Sequence, residues 1–189
     1  VAFIGVFYLG ATLFAAQKWP FHQGTYGSTL RSMATKEAKG VDEWLDRLRK
    51  GGYIIYLRHA QRERWDDVTA FDAYELATSS DGQSTSYKRA VCLTDRGTEE
   101  AKLIGNAFRL LKIPFGPVIS SPSCRARQTG TLAFGEIQAV DVSILHPTAL
   151  RTADHDALAG RLRGILMKTP IPQGSNLIIS GHANTLDLY

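Results

Sequence analysis

Three short apolar runs in this sequence are each followed by side chains able to handle an anion. Arg58-His59-Ala60 follows Tyr53–Leu57 (YIIYL). Ser121-Pro122 and then Arg125 follow Pro117–Ser120 (PVIS). Gly181-His182-Ala183-Asn184 follows Asn176–Ser180 (NLIIS). Guanidinium groups present rigid forks of donors that match phosphate oxygens. A histidine among such positive charges is favoured in its neutral form, and neutral imidazole is a nucleophile. A second histidine, when protonated, adds a donor to the equatorial oxygens. Helices starting after Pro122 and after Gly181 would add backbone N–H groups for the same anion. Arg58, His59, Arg125 and His182 together suit phosphoryl transfer, in which positioning and charge stabilisation dominate.

These residues need a frame that brings them together. The three runs read as buried strands, rich in β-formers and short. Val140–Leu145 is expected as a further strand. Val41, Trp44, Leu45 and Leu48 recur at helical spacing, ahead of Gly51-Gly52. A second helix is expected from an N-cap at Thr94 to about Lys112, with Ala101, Ile104, Phe108 and Leu111 inside and Pro114 beyond its end. Ser123–Phe134 and Ala153–Lys168 read as two more, the last with Asp154 and Asp156 in its first turn. Alternating strands and helices argue an α/β fold, a three-layer sandwich with a largely parallel central sheet flanked by helices. Ligands of such sheets sit outside the carboxyl ends of the strands. Parallel, adjacent strands would therefore gather both arginines and both histidines on one rim. The polar stretch from Glu63 to Val91 has no clear period and reads as an irregular, lid-like segment.

The chain has 189 residues, of which 44% are hydrophobic and 21% charged, enough for one globular core. Its apolar content excludes wholesale disorder, and 7 Pro with 17 Gly exclude a collagen-like chain. Two cysteines, Cys92 and Cys124, cannot build a disulfide-dense scaffold or a four-thiolate zinc site. They could pair with one another in an exported domain, but sequence does not set their separation. The net charge of +4 suits an anionic partner of several kinds. No basic stripe interleaved with aromatics points to nucleic acid. Val1–Ala16 carries no charge and, being shorter than the roughly 20 residues of a membrane-spanning helix, reads as the remainder of an anchor or signal. Residues 1–22 are thus expected as an N-terminal anchor or signal remnant, 23–40 as a Gly/Ser/Thr-rich linker, and 41–189 as the domain, with a further piece beyond Tyr189. Export, or attachment to a membrane through the N-terminal segment, is the corresponding expectation.

Four motifs in order add a resemblance. Arg58-His59-Ala60 resembles the RHG/RHA signature of the histidine phosphatase superfamily, which includes phosphoglycerate mutase. Cys92–Ala101 (CLTDRGTEEA) resembles its LT-x-x-G-x-x-x-A helix entry. Ser120–Gly130 (SSPSCRARQTG) resembles its SSP-x-x-R-A-x-x-T-A segment, and Gly181–Leu186 (GHANTL) its second-histidine motif. The likeness runs from about Tyr53 to the end of the chain. It implies a phosphoglycerate mutase-like fold and a metal-independent phosphatase that needs no cofactor. His59 would become a phosphohistidine, and Arg58, Arg125 and His182 would bind the phosphoryl oxygens of a small phosphorylated substrate.

The sequence departs from that family in its leaving-group acid. Asp154 and Glu63 are the candidates, against plainer roles as a helix-start charge and a solvated loop charge. Gln61-Arg62-Glu63-Arg64 replaces the mutase pattern and favours hydrolysis over a mutase acting on a sugar-acid phosphate. A catalytically silent phospho-ligand module is the reading from another class. Arg62, Arg64, Lys88 and Arg89 read either as a basic collar or as a solvated loop. His146, before Pro147, and His155 read as structural or surface residues, and His22 as juxtamembrane.

Overall fold

The computed structural model describes residues 2–4, 41–64, 70–72, 91–146, 149, 152–183 and 185. Its elements run β1 (Ala2–Ile4), α1 (41–50), β2 (Tyr53–Arg58), α2 (Asp95–Leu110), β3 (Val118–Ser120), α3 (Cys124–Phe134), β4 (Ala139–Val140), α4 (His155–Lys168) and β5 (Leu177–Gly181). The sheet order is β1-β2-β5-β3-β4, with every pairing parallel. Alternate residues of each strand face opposite layers, as strand geometry requires. Ile55, Leu57, Val118 and Ile178 pack with Leu48 of α1 and Phe108 of α2. Ile54, Tyr56, Ile119, Leu177 and Ile179 pack with Leu162 and Leu166 of α4. Strands covered on both faces must be apolar throughout, which is why YIIYL and LIIS carry no alternation. The expected three-layer α/β sandwich is the observed one.

Two boundaries differ from expectation. The strand expected over Val140–Leu145 is cut to Ala139–Val140 and followed by a 3-10 turn over Val142–Ile144. Asp141 causes this, because its Oδ1 accepts both the N–H and the hydroxyl of Ser143. A short carboxylate that bonds the backbone two residues on competes with a sheet ladder. Thr152–Asp154 is likewise a 3-10 turn, so Asp154 stands at the N-cap of α4. Ala2–Ile4, from the uncharged N-terminal run, lies parallel to Tyr53–Ile55 at the sheet edge. The rest of the expected anchor (1–22) and linker (23–40) lies outside the described residues. Among the described residues no helix is long and apolar enough to cross a membrane.

The segment leaving β2 is clamped by the starts of α2 and α3. Thr94 caps α2 by accepting the Gly97 N–H, as expected. Its own N–H donates to Gln61 O at 3.2 Å, and Glu100 accepts the Gln61 N–H at 3.0 Å. The Ala60 N–H donates to Thr129 Oγ1 at 3.0 Å, while that hydroxyl donates to Arg125 O at 2.8 Å. Cys92 and Cys124 form a disulfide that ties the approach to α2 to the first residue of α3. Gly97 faces Gln61 so closely that a Cβ would lie 1.9 Å from Gln61 O. The backbone there has little room to yield, and overpacking of this kind costs about 1–3 kcal/mol. Gly97→Ala should therefore lower the unfolding free energy by at least that much in a denaturant titration. Gly160→Ala is the control, since a Cβ there meets nothing within 4 Å and helix propensity favours alanine. Equal stability of the two variants would contradict the close approach.

Candidate active site

Register sets the site. Arg58 pairs across the sheet with Gly181, and Ser120 with Ser180, so β2, β5 and β3 end level. The His59 N–H donates to Gly181 O at 2.9 Å and the Ser121 N–H to Ser180 O at 2.9 Å, carrying the pairing past the last strand residues. His59, His182 and the chain leading to Arg125 therefore leave neighbouring strands at one height. The rings of His59 and His182 meet edge-on with centroids 5.2 Å apart. Arg125 reaches His182 from the first turn of α3, its Nη2 lying 3.3 Å from His182 Nδ1. Arg58 is exposed at the end of β2, and its charge acts on both imidazoles.

Hydrogen bonding fixes both imidazole tautomers. His59 Nδ1 lies 2.8 Å from Ala60 O, and a carbonyl can only accept. Nδ1 therefore carries the proton, which leaves the Nε2 lone pair free. Burial, then the Arg125 charge and more weakly those of Arg58 and Arg62, lowers the His59 pKa from 6.5 to about 3, against the opposing pull of the Ala60 carbonyl. Neutral, nucleophilic imidazole is thus the state of His59 near pH 7. At His182 the donor is Arg125, so Nδ1 accepts. Nε2–H is then the donor toward Ser121 Oγ at 3.0 Å and Ser123 Oγ at 3.2 Å. Burial and then Arg125 hold this pKa well below 6.5 as well. Tyr56 anchors the His182 backbone, its hydroxyl donating to His182 O at 3.0 Å and accepting the His182 N–H at 3.2 Å.

Three further groups belong to the cluster. Asp72, from the segment with no sequence period, is 1% exposed. Its Oδ1 and Oδ2 accept from Arg125 Nη1 and Nη2 at 2.5 and 2.6 Å. Arg125, itself 1% exposed, keeps a buried Nε–H with no acceptor among the described residues. Arg62 is half-buried and carries a pKa lowered by burial, Arg125 and Arg58, with Asp72 opposing. His146, expected as a structural or surface residue, instead sets its ring 6.0 Å from that of His182. Burial, then Arg125, lowers its pKa too. Asp72 gave no signal because its partner is 53 positions away. His146 does carry a signal, since it directly follows the apolar run Val140–Leu145 and residues just beyond such runs lie at the carboxyl edge of a parallel sheet. Glu63 is half-buried and its backbone carbonyl accepts from Arg62 Nη1 at 2.5 Å. Arg64 is exposed, and Lys88 and Arg89 of the suggested collar lie outside the described residues.

No family model and no curated protein matches the chain. Among solved structures it is similar to the open reading frame Rv3214 of Mycobacterium tuberculosis, at 18% identity and a TM-score of 0.45, over 71% of this chain and 76% of that one. It is similar to the protein histidine phosphatase SixA complexed with tungstate, at 20% identity and a TM-score of 0.41, over 71% and 72%. A phosphoserine phosphatase from Entamoeba histolytica, in complex with 3-phosphoglyceric acid, gives 17% identity and a TM-score of 0.41, over 71% and 77%. The case for an activity rests on the side chains of the site.

Asp72 holds the donors that a phosphoryl group would use and carries the same sign of charge as that group. Asp72→Asn removes the repulsion and loosens the fork. Inorganic phosphate should then bind about tenfold more tightly by calorimetry, a gain of about 1.4 kcal/mol. The same change leaves a buried guanidinium without its counter-ion, and stability should fall by about 3–5 kcal/mol. Weaker phosphate binding in the variant would mean that Asp72 orients Arg125 and does not compete for it.

Proposed function

We propose that this chain is a histidine phosphatase that hydrolyses small phosphomonoesters through a phosphohistidine at His59. The observation that carries the reading is the His59 tautomer. Nδ1 is tied to Ala60 O, so Nε2 offers a lone pair within a cluster of guanidinium groups. The phosphoryl oxygens are received by Arg58 and Arg125, and by His182 once the incoming negative charge protonates it and its Nδ1–H can donate. Arg125 brings charge from the base of the site and Arg58 from its mouth. As Nε2 bonds to phosphorus, the ester oxygen leaves with the bonding pair, and the guanidinium groups stabilise the charge spread over the equatorial oxygens. Water then attacks the phosphohistidine, and the pair returns to Nε2 as phosphate departs. The order of the four sequence motifs supports the same family. Hydrolysis is favoured over a mutase by Gln61-Arg62-Glu63-Arg64 after the first motif.

Export is part of this proposal, but a membrane anchor over the whole of residues 1–22 is not, because Ala2–Ile4 pairs with β2 at the edge of the sheet. Export is supported by the uncharged run Val1–Ala16 and by the Cys92–Cys124 disulfide, a bond that persists in oxidising compartments.

His59→Ala should abolish phosphate release from an aryl phosphate. The unaltered protein, quenched during turnover of a ³²P-labelled ester, should carry acid-labile label on His59. Sustained turnover by the variant would remove the mechanism. A protein that binds phosphate but neither labels nor turns over would be a silent binding module, and return of the phosphoryl group to a second hydroxyl of the substrate would identify a mutase.

A further inference from the structure

We propose that His146 is the proton donor to the leaving group, a catalytic role that rests on the phosphatase reading above. A nucleophile alone does not complete ester cleavage, because an alkoxide is a poor leaving group unless it is protonated as the bond breaks. The sequence offers two carboxylates for this role: Asp154 stands at the N-cap of α4 and makes no side-chain cap bond, and Glu63 is half-buried with its backbone carbonyl accepting from Arg62. Asp72 has both oxygens engaged as acceptors from Arg125. The imidazole of His146 is half-buried and continues the chain of rings that starts at the nucleophile, His59 to His182 at 5.2 Å and His182 to His146 at 6.0 Å.

The backbone explains how it arrives there. β4 stops at Val140, and Asp141 turns the chain through Val142–Ile144. Ile144 and Leu145 are buried, and their carbonyl oxygens accept from Thr185 Oγ1 at 3.2 and 3.3 Å. Thr185 lies three residues after His182, and its N–H donates to His182 O at 3.3 Å. The turn after β4 is thereby fixed to the turn after β5, which holds His146 against His182.

Among the described residues, the charged groups that act on His146 are Arg125 of α3, Asp72 and Arg62 after β2, and the neighbouring titratable ring is His182. In the free protein burial, then Arg125 and more weakly Arg62, lower the His146 pKa against the opposing pull of Asp72, which favours the neutral ring. A phosphomonoester dianion brings two negative charges into the same space and favours the imidazolium. In the first step His59 Nε2 forms a bond to phosphorus and the P–O bond to the alcohol breaks. The bonding pair goes to the ester oxygen, which takes the His146 proton and leaves as a neutral alcohol. His146, now neutral, accepts a proton from the water that attacks the phosphohistidine. That step forms the new P–O bond, returns the N–P pair to His59, and restores the His146 imidazolium.

The test varies the leaving group. An alkyl phosphate such as glycerol phosphate needs the proton, whereas 2,4-dinitrophenyl phosphate does not. In the unaltered protein kcat should depend only weakly on leaving-group pKa. His146→Gln should lose about 100-fold or more on the alkyl ester, within the usual range for a general acid, and less than threefold on the dinitrophenyl ester. Retained aryl turnover in that variant also shows that it is folded. An equal loss on both esters, no loss on either, or a steep leaving-group dependence in the unaltered protein would each overturn the assignment. None of those results touches the His59 step. Failure of the phosphatase reading itself would show separately, as no label on His59 and no phosphate released from any ester.

Discussion

The site depends on a guanidinium held in the protein interior. Arg125 is 1% exposed, and a charge so placed must be compensated or it would cost several kcal/mol. Asp72 supplies the compensation through two short, parallel hydrogen bonds, the geometry that suits a guanidinium fork. Much of the surrounding structure exists to hold Arg125 where it is. The disulfide fixes the first residue of α3 beside it, and Thr129 takes its carbonyl one turn further on while receiving the Ala60 N–H. The residue after the nucleophile is thus connected to the arginine through a single hydroxyl.

That arginine in turn sets the chemistry of the histidines. It is the leading charge acting on His59, His146 and His182, and in each case burial works in the same direction. Three imidazoles close to arginines would ordinarily be a poor arrangement for stability. Here the rings are kept uncharged, so the repulsion is avoided and a nucleophile results. The same arrangement is poised for an anion. On the proposed reading a phosphoryl dianion would offset the excess positive charge of the site, satisfy donors otherwise spent on Asp72, and make imidazolium more favourable at His146. Binding and proton delivery are then two consequences of one charge.

Much of this is legible in the sequence because it is periodic or terminal. Strands covered on both faces read as unbroken apolar runs, and the residues just beyond each run must lie at a carboxyl edge. That logic locates Arg58, His59 and His182 without side-chain geometry. Thr94 is legible because capping is local. The hidden part depends on distance through space. Asp72 meets Arg125 across 53 positions, from a segment whose composition shows no period. The cysteine pair leaves its separation open for the same reason. His146 is legible by the same rule as the strand-end residues, since it directly follows the run Val140–Leu145; what the sequence hides is that the Asp141 carboxylate ends the strand at Val140, so that a 3-10 turn delivers the histidine. The third arginine, Arg62, is visible in the sequence as one member of a suggested basic collar, but not as a half-buried charge acting on His59 and His146.

The most direct test of the central claim is a crystal structure of the protein with orthovanadate bound. The account predicts one vanadate at the carboxyl edge of β2, β5 and β3, with His59 Nε2 facing vanadium and its oxygens contacting Arg58, Arg125 and His182. A vanadate seated elsewhere, or one bound at that edge with His59 Nε2 turned away from it, would contradict the account.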